Sequence, residues 1–210
     1  MGDFTIGTKA VLSQSGSDEA VLSNTVTGDS LSCIKLYTTL DPNATSVDIN
    51  GYFDDSVYAY YKLLVTNMHS SVTNATPYLK VMTSGSVDTG SHFWTTHHGI
   101  YGNAGAVTEQ NRADSDGIAF SHLNCTWDLP SVASQQQNFE ITFANPQDAV
   151  TSKLFNIVYW GDSHSASAVY YVSNMGIVQW RSATALTGIS FTATSGNLED
   201  GRVTLYGYKI

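Results

Sequence analysis

The fold class of this chain is decided by residues 188–210, which read GISFTATSGNLEDGRVTLYGYKI. The apolar side chains of Ile189 and Phe191 alternate with Ser and Thr, and a period of two is typical of a strand that is buried on one face. Val203 and Leu205 repeat this alternation after a segment rich in Gly, Asn and Asp, which favours a turn. The two runs therefore predict a β-hairpin.

Similar patterns recur along the whole chain. They predict strands near residues 4–12, 30–37, 46–53, 57–67, 77–83, 117–123, 138–144, 153–160, 168–173, 186–194 and 202–209. No segment has the apolar spacing of an amphipathic helix over three turns. The chain has 210 residues, of which 42% are hydrophobic, and this is enough for one core. The sequence predicts an all-β chain that folds as a single antiparallel β-sandwich domain over residues 1–210, although the first 50 residues carry no recognisable motif.

The run 57–67 predicts which side chains face the core. Alternation assigns to the buried face Val57, Ala59, Tyr61, Leu63 and Val65. The opposite face then carries Tyr58, Tyr60 and Leu64, and it is more apolar than a sheet in contact with water requires. Two explanations remain open: another layer of the same chain covers this face, or it is a subunit interface, where Tyr is enriched.

Residues 84–116 show no strand pattern, and a loop of this length is usually functional or ordered by a partner. Its candidate metal ligands are Asp88, His92, His97 and His98. Adjacent side chains of an extended segment point in opposite directions, and a His-Glu-x-x-His helix is absent. We therefore expect ordinary loop histidines, no metal and no cofactor. As possible contacts to another subunit or to a glycan we retain Tyr58, Tyr60, Leu64, His92, Trp94, His97 and Tyr101.

The charge balance restricts the partners of this chain. The chain has 9 Lys and Arg residues and 18 Asp and Glu residues, which gives a formal net charge of −9. Nucleic-acid binding requires clustered basic residues, and a membrane span requires about 18 consecutive apolar residues, so we expect neither partner. The N-terminal sequence MGDFTIGTK has no secretory signal. We therefore expect synthesis in the cytoplasm, a reducing compartment where Cys33 and Cys125 remain unpaired.

Catalytic residues are not predicted. The neighbouring acids Asp54-Asp55 and Glu199-Asp200 lie in turn-like sequence, where Asp commonly bonds its own backbone. Glycoside hydrolysis requires two carboxyl groups at a defined separation across a cleft, and Glu140 has no second acid on its strand face. A Gly-x-Ser-x-Gly nucleophile motif is also absent. The sequence therefore predicts a protein that is not an enzyme.

The C-terminal stretch resembles the end of a family of small bacteriophage virion proteins with a jelly-roll, lectin-like sandwich. The shared pattern is A-x-x-G-I-x-F-x-x-x-S-G-N-x-x-x-G-x-x-x-L-Y-G-x-K, and the matching residues are Ala185, Gly188, Ile189, Phe191, Ser195, Gly196, Asn197, Gly201, Leu205, Tyr206, Gly207 and Lys209. Residues 58–67 followed by 78–81, and residues 139–146 leading to 153–155, resemble the same family in the same order.

The resemblance implies a jelly-roll fold and a non-enzymatic structural subunit of the phage particle, which associates with itself as a trimer. The resemblance further implies that the protein is located in the virion. There it would be a capsid decoration, head fibre or tail-fibre component in contact with other virion proteins. The alternative is a carbohydrate-binding module at a fibre tip that recognises a host-surface glycan. Sugars stack on exposed aromatic rings, and the available rings are Trp94, Tyr101, Trp127, Trp160 and Trp180.

Overall fold

The computed structural model describes residues 4–6, 9–14, 20–22, 33–72, 75–101, 107–115, 117–119, 137–165 and 168–209. In these ranges the chain forms strands and no helix, which confirms the all-β prediction. The strands are β1 (Phe4–Ile6), β2 (Lys9–Gln14), β3 (Ala20–Leu22), β4 (Cys33–Leu40), β5 (Ser46–Asn50), β6 (Tyr58–Ser70), β7 (Pro77–Thr83), β8 (Ser86–Val87), β9 (Phe93–Tyr101), β10 (Val107–Ser115), β11 (Ile118–Ala119), β12 (Gln137–Ala144), β13 (Lys153–Ser165), β14 (Ala168–Trp180), β15 (Gly188–Ala193), β16 (Leu198–Glu199) and β17 (Arg202–Lys209). None of the described segments is an apolar helix long enough to cross a bilayer.

The strands form three antiparallel sheets. The first contains β1, β2 and β3. The large sheet has nine strands in the order β10-β9-β14-β13-β12-β6-β17-β4, with β16 attached to β6. The small sheet has five strands in the order β11-β7-β15-β5, with β8 attached to β7. From β4 onward the chain passes repeatedly between the large and small sheets, which build a β-sandwich; the jelly-roll connectivity and the single-domain organisation remain predictions.

The hydrophobic core lies between the large and small sheets. The ring of Phe139 on β12 packs 5.3 Å from the ring of Phe191 on β15, measured between centroids, and so joins the two sheets. Three residues that alternation assigned to the core, Tyr61, Leu63 and Val65, are fully buried. The assignment was wrong for Val57 and Ala59, which are exposed: Val57 precedes β6, and Ala59 lies at the shift in the pairing of β6 with β17.

The C-terminal stretch is not a hairpin, contrary to the prediction. β15 pairs with β5 and β7 in the small sheet, whereas β17 pairs with β4 and β6 in the large sheet. Residues 194–201 connect the two sheets, and β16 attaches this connection to the end of β6. Alternation identifies a strand with one buried face, but it does not identify the partner strand. The two strands bury the same side chains whether they pair with each other or belong to facing sheets.

The stretch 84–116 contains β8, β9 and β10, so the prediction of a long loop was also wrong. In β9 the polar Thr95 is buried and the large apolar Trp94 is 45% exposed. This arrangement is the reverse of the usual pattern, so the sequence of β9 does not show the alternation that is typical of a strand. β9 is a strand because its backbone pairs with β14 along its whole length, from Phe93 opposite Trp180 to Tyr101 opposite Val172.

Candidate interaction surface

The side of the large sheet that faces away from the core is the candidate functional site. On β13, Phe155, Ile157 and Tyr159 point into the core, so the intervening residues point outward. Strand pairing places outward residues of β14 and β9 beside them. The consecutive strands β13 and β14 form an antiparallel hairpin, and we call the outward side chains of this hairpin and of β9 the hairpin face. They are Trp94, Thr96, Leu154, Asn156, Val158, Trp160, Ser173, Met175, Ile177 and Gln179.

Large apolar side chains of the hairpin face are exposed. Leu154 is 57% exposed, Met175 58% and Ile177 52%, while Trp94 and Trp160 are 45% and 41% exposed. A single exposed apolar residue is ordinary, but a group of them on one face of a sheet usually marks a contact surface.

These apolar side chains are neighbours on adjacent strands. Met175 lies directly opposite Val158, and Ile177 lies opposite Asn156 on one side and Thr96 on the other. Directly opposed side chains on antiparallel strands have Cβ atoms about 5 Å apart. Met175 and Val158 therefore form an apolar pair, whereas both residues directly opposite Ile177 are polar.

The polarity of β14 is inverted over residues 174–177, whereas Val178 and Trp180 follow the usual pattern and are buried. Its inward residues Asn174 and Gly176 are buried, whereas the outward residues Met175 and Ile177 are exposed. An antiparallel strand with one face in water is expected to place polar side chains on that face. The inversion indicates that the outer side of β14 is suited to contact with another surface.

The ten residues of the hairpin face are uncharged, but Asp162 continues the same outward side of β13 and Glu140 lies directly opposite Val158. None of the ten is Asp, Glu, Lys or Arg, although the chain has a formal net charge of −9. Charged groups lie beside it: Lys62 and Glu140 form an ion pair of 2.9 Å on β6 and β12, and the Arg181 guanidinium stacks 4.3 Å from the ring centroid of Trp94. The hairpin face therefore combines apolar and neutral polar side chains, and charged groups lie at its edges.

Tyr60 and Leu64 lie on the outer side of β6, as predicted. The Tyr60 ring is stacked on that of Tyr208, with 4.3 Å between centroids. The hydrogen bond between the Cys33 thiol and Tyr208, together with burial, raises the pKa of Tyr208 to about 12. Cys33 is a free thiol, as predicted, and Cys125 lies outside the described residues.

Tyr58 was expected to point outward, but its ring turns to the inner side of β6. It lies 5.7 Å from the Tyr61 ring, and a Cβ added to Gly207 would come within 2.6 Å of Tyr58 Cδ1. The reason is a shift in the pairing of β6 with β17 between Tyr208 and Lys209. Tyr58 therefore belongs to the edge of the core and does not contribute to the outer face.

The candidates of the stretch 84–116 lie on β9 or immediately before it. Trp94 belongs to the hairpin face, and His92 is half-buried with its ring edge-on to Trp180. His97 and Tyr101 occupy β9 positions opposite Gly176 and Val172, respectively. In the part of the chain that the structure describes, no three His, Cys, Asp or Glu side chains are grouped to hold a metal ion.

A shallow hollow of about 300 Å³ lies on the outer face of the small sheet, and its lining residues are Tyr78, Lys80, Thr192, Ala193 and Thr194. The Lys80 ammonium is 5.8 Å from the centroid of the Tyr78 ring. The hydroxyl groups of Thr192 and Thr194 already bond to backbone atoms of residues 45 and 76. The hollow thus combines an aromatic ring, a cation and two hydroxyl groups.

Sequence reasoning missed Leu154, Met175 and Ile177 as surface candidates. Strand β14 was predicted to end at residue 173, although it continues to Trp180, so Met175 and Ile177 were not placed on a sheet. A signal was present in residues 154–160, which read LFNIVYW. A strand that is apolar at nearly every position indicates that both of its faces are covered.

Comparison of the chain with known protein families, with curated proteins and with solved structures found no match.

Proposed function

We propose that this chain is a non-enzymatic structural subunit of a bacteriophage particle. It is made in the host cytoplasm and associates with copies of itself, as a trimer, in a capsid decoration, head fibre or tail-fibre component. The observation that carries the proposal is the group of exposed apolar side chains on the hairpin face. Large apolar side chains grouped on one face of a sheet are often part of a contact surface.

The positions of the C-terminal motif residues support the proposed relationship to phage virion proteins. Ile189, Phe191 and Leu205 are fully buried. A Cβ on Gly188 would come within 2.3 Å of the carbonyl oxygen of Ile49 on the neighbouring strand. These residues hold the two sheets together, so a motif made of them is a signature of fold. Such a signature is what a structural subunit would share with its relatives.

The acidic charge of the chain is consistent with a protein partner. Nine Lys and Arg residues against 18 Asp and Glu residues disfavour binding to nucleic acid, which requires a basic surface. We therefore propose other virion proteins and further copies of this chain as its partners.

Immunogold electron microscopy of purified phage particles tests the proposed function. Antibodies against the folded chain are expected to label a fixed position on intact particles, with the chain present in many copies per particle. If the chain is abundant in infected cells but absent from purified particles, the proposed function is wrong. Antibodies against an abundant host protein that is absent from virions provide the control for carry-over.

A second candidate function is glycan recognition at a fibre tip, and the hollow on the small sheet favours it. A sugar ring could stack on Tyr78 while the Lys80 ammonium binds a carboxylate of an acidic sugar. A glycan array tests this function: binding of acidic glycans that Tyr78→Ala abolishes would support it. The array should show no binding if the chain is only a structural subunit.

A further inference from the structure

We propose that Asp48 determines which acidic sugars the hollow on the small sheet accepts. The ligand is an oligosaccharide in which one sugar carries a carboxylate that binds the Lys80 ammonium. The next sugar along the oligosaccharide is uncharged and donates its hydroxyl groups to Asp48. This inference rests on glycan recognition, the second candidate function, and adds to it a specificity-determining residue and the charge pattern of the ligand.

Asp48 lies on the same outer face of the small sheet as the hollow. Its neighbours on β5, Val47 and Ile49, are buried in the core, so the Asp48 side chain points outward, where it is exposed. Strand pairing places Ser190 of β15 directly between Asp48 and Lys80. Adjacent strands are about 4.8 Å apart, so the backbones of the acid and the base are separated by about 10 Å. A ligand of more than one sugar ring that occupies the hollow can therefore reach Asp48.

The Asp48 carboxylate is held in position by Ser190. The Ser190 hydroxyl donates to Asp48 Oδ1 over 2.6 Å, and Ser190 is only 2% exposed although it lies on the outer face. A hydrogen bond from a hydroxyl group to an ionised carboxylate is short and strong, so it fixes the orientation of the carboxylate. The bond uses only one of the two acceptor oxygens, and Oδ2 can accept hydrogen bonds from a ligand.

The cation and the aromatic ring at the other end of the site are also held in position. The Lys80 ammonium lies 5.8 Å from the centroid of the Tyr78 ring. A Cβ added to Gly117 would come within 3.0 Å of Lys80 Cγ and 3.3 Å of Tyr78 Cδ1, so both side chains pack closely against residue 117. Groups that are already ordered lose little freedom when a ligand binds, and this favours binding.

The threonine hydroxyl groups that line the hollow fit a ligand rich in hydroxyl groups. The Thr192 hydroxyl donates to the carbonyl oxygen of Thr45 over 2.8 Å, so it meets a ligand as an acceptor. The Thr194 hydroxyl accepts from the backbone N–H of Thr76 over 2.9 Å, so it meets a ligand as a donor. A sugar hydroxyl both donates and accepts, and it therefore matches both groups.

The charge of Asp48 restricts the charge of the ligand. A second carboxylate above Asp48 would lie about 5 Å from a like charge, and at a solvated surface this repulsion lowers the affinity about tenfold. An uncharged sugar at the same place donates hydrogen bonds to the carboxylate instead. A site that attracts one ligand and repels its competitor discriminates between them. We therefore expect sugars with a single carboxylate next to a neutral sugar to bind, and chains of consecutive uronic acids to be rejected.

Calorimetric titration with two trisaccharides tests the proposal. One trisaccharide has a single uronic acid between two neutral hexoses, and the other consists of three uronic acids. The wild type is expected to bind the singly charged trisaccharide about tenfold more tightly than the triuronate. Asp48→Asn keeps the size of the side chain and its acceptor for Ser190, but it removes the charge. Triuronate binding should therefore become tighter in this variant, and the ratio of the two affinities should fall towards one. A damaged fold would not produce such a gain in binding.

The matched control is Asp162→Asn, which removes the same charge from β13 of the large sheet and should keep the wild-type ratio. Tyr78→Ala should abolish the binding of both trisaccharides. If this variant still binds them, the sugar lies elsewhere and the proposal is wrong. A wild type that binds both trisaccharides equally, or an Asp48→Asn variant with the wild-type ratio, would overturn the role of Asp48 but leave glycan recognition through Tyr78 standing. A wild type that binds neither trisaccharide would contradict the recognition of acidic sugars as well, and the proposed virion function would remain intact.

Discussion

At the scale of single residues, the C-terminal motif works through burial and close packing. Phe191 is fully buried in the small sheet and contacts Phe139 of the large sheet. Gly207 is buried on β17, next to the ring of Tyr58. Both residues contribute to the fold from the inside of the sandwich, away from the hairpin face.

Phe191→Ala should reduce the free energy of unfolding by about 3–5 kcal/mol, because it leaves a cavity between the two sheets. The loss is comparable to the whole stability of many domains, so the variant is expected to be largely insoluble. Urea denaturation, or the soluble yield, measures the effect. Val150→Ala at an exposed site provides the control and should change little. A soluble Phe191→Ala variant with normal melting that had lost only its attachment to particles would contradict this role.

Gly207→Val should destabilise the protein by about 1–3 kcal/mol through overpacking. A Cβ at this position would lie within 2.6 Å of the Tyr58 ring, which would have to move. Removing that ring should relieve the clash. The double variant Tyr58→Ala/Gly207→Val is therefore expected to lose less stability than the sum of the two single variants, as measured by urea denaturation. Additive losses would show that Tyr58 is not the obstacle.

At the scale of elements, two loops at one end of the sandwich are joined by reciprocal hydrogen bonds. The backbone N–H of Gln147 donates to Asp55 Oδ2 over 2.8 Å, and the N–H of Asp55 donates to Gln147 Oε1 over 3.1 Å. The Tyr61 hydroxyl donates to the other carboxylate oxygen of Asp55. Asp55 thus connects two loops, whereas Asp54 Oδ1 accepts from the backbone N–H of Ser56, which is the turn role expected from the sequence.

Burial raises the pKa of Asp55 above its ordinary value of 3.8. A raised pKa means that the folded state favours the protonated carboxyl group. The stability that this preference contributes is complete below the unfolded pKa and is lost as the pH rises through the folded pKa. The Asp55→Asn variant has no titratable carboxyl group at this position, so this pH-dependent contribution to its stability is absent. Urea midpoints of both proteins should be measured from about pH 3 to about pH 7. The wild-type midpoint minus the variant midpoint is expected to decrease as the pH rises through this window. Parallel pH profiles would contradict the assignment.

At the scale of the whole molecule, the large sheet presents two kinds of surface on its outer side. The half near β6 carries an ion pair and stacked tyrosines, whereas the half near β13 and β14 exposes the large apolar side chains of Leu154, Met175 and Ile177. An assembly that covers the apolar half would leave the hollow on the small sheet accessible, because the two surfaces lie on opposite faces of the sandwich.

The mass of the associated form should approach three times 22.7 kDa by light scattering, as expected for a trimer. Because the residues of the hairpin face are uncharged, added salt should not dissociate the associated form. Raising NaCl from about 50 mM to about 500 mM should leave the mass unchanged or increase it, since salt screens repulsion between acidic chains. Dissociation at high salt would instead indicate that charged contacts hold the copies together.

The candidate surface was only partly predictable from the sequence. Alternation correctly placed Tyr60 and Leu64 on the outer side of β6, and the sequence identified Trp94 as a contact candidate. It did not reveal that Met175 and Ile177 are exposed. The local pattern of β14 gives no sign of which face is covered, and the inversion is visible only when β13 is paired beside it.

The sequence by itself determined the all-β class and much of the core. The burial of Ile189, Phe191 and Leu205 follows from alternation, which is a property of neighbouring residues. Only the tertiary structure decided that β15 and β17 belong to different sheets and that β9 is a strand. Pairing joins residues far apart in the chain, and many partners satisfy the same local pattern. The choice among them depends on which arrangement buries the most apolar surface and satisfies the most backbone hydrogen bonds.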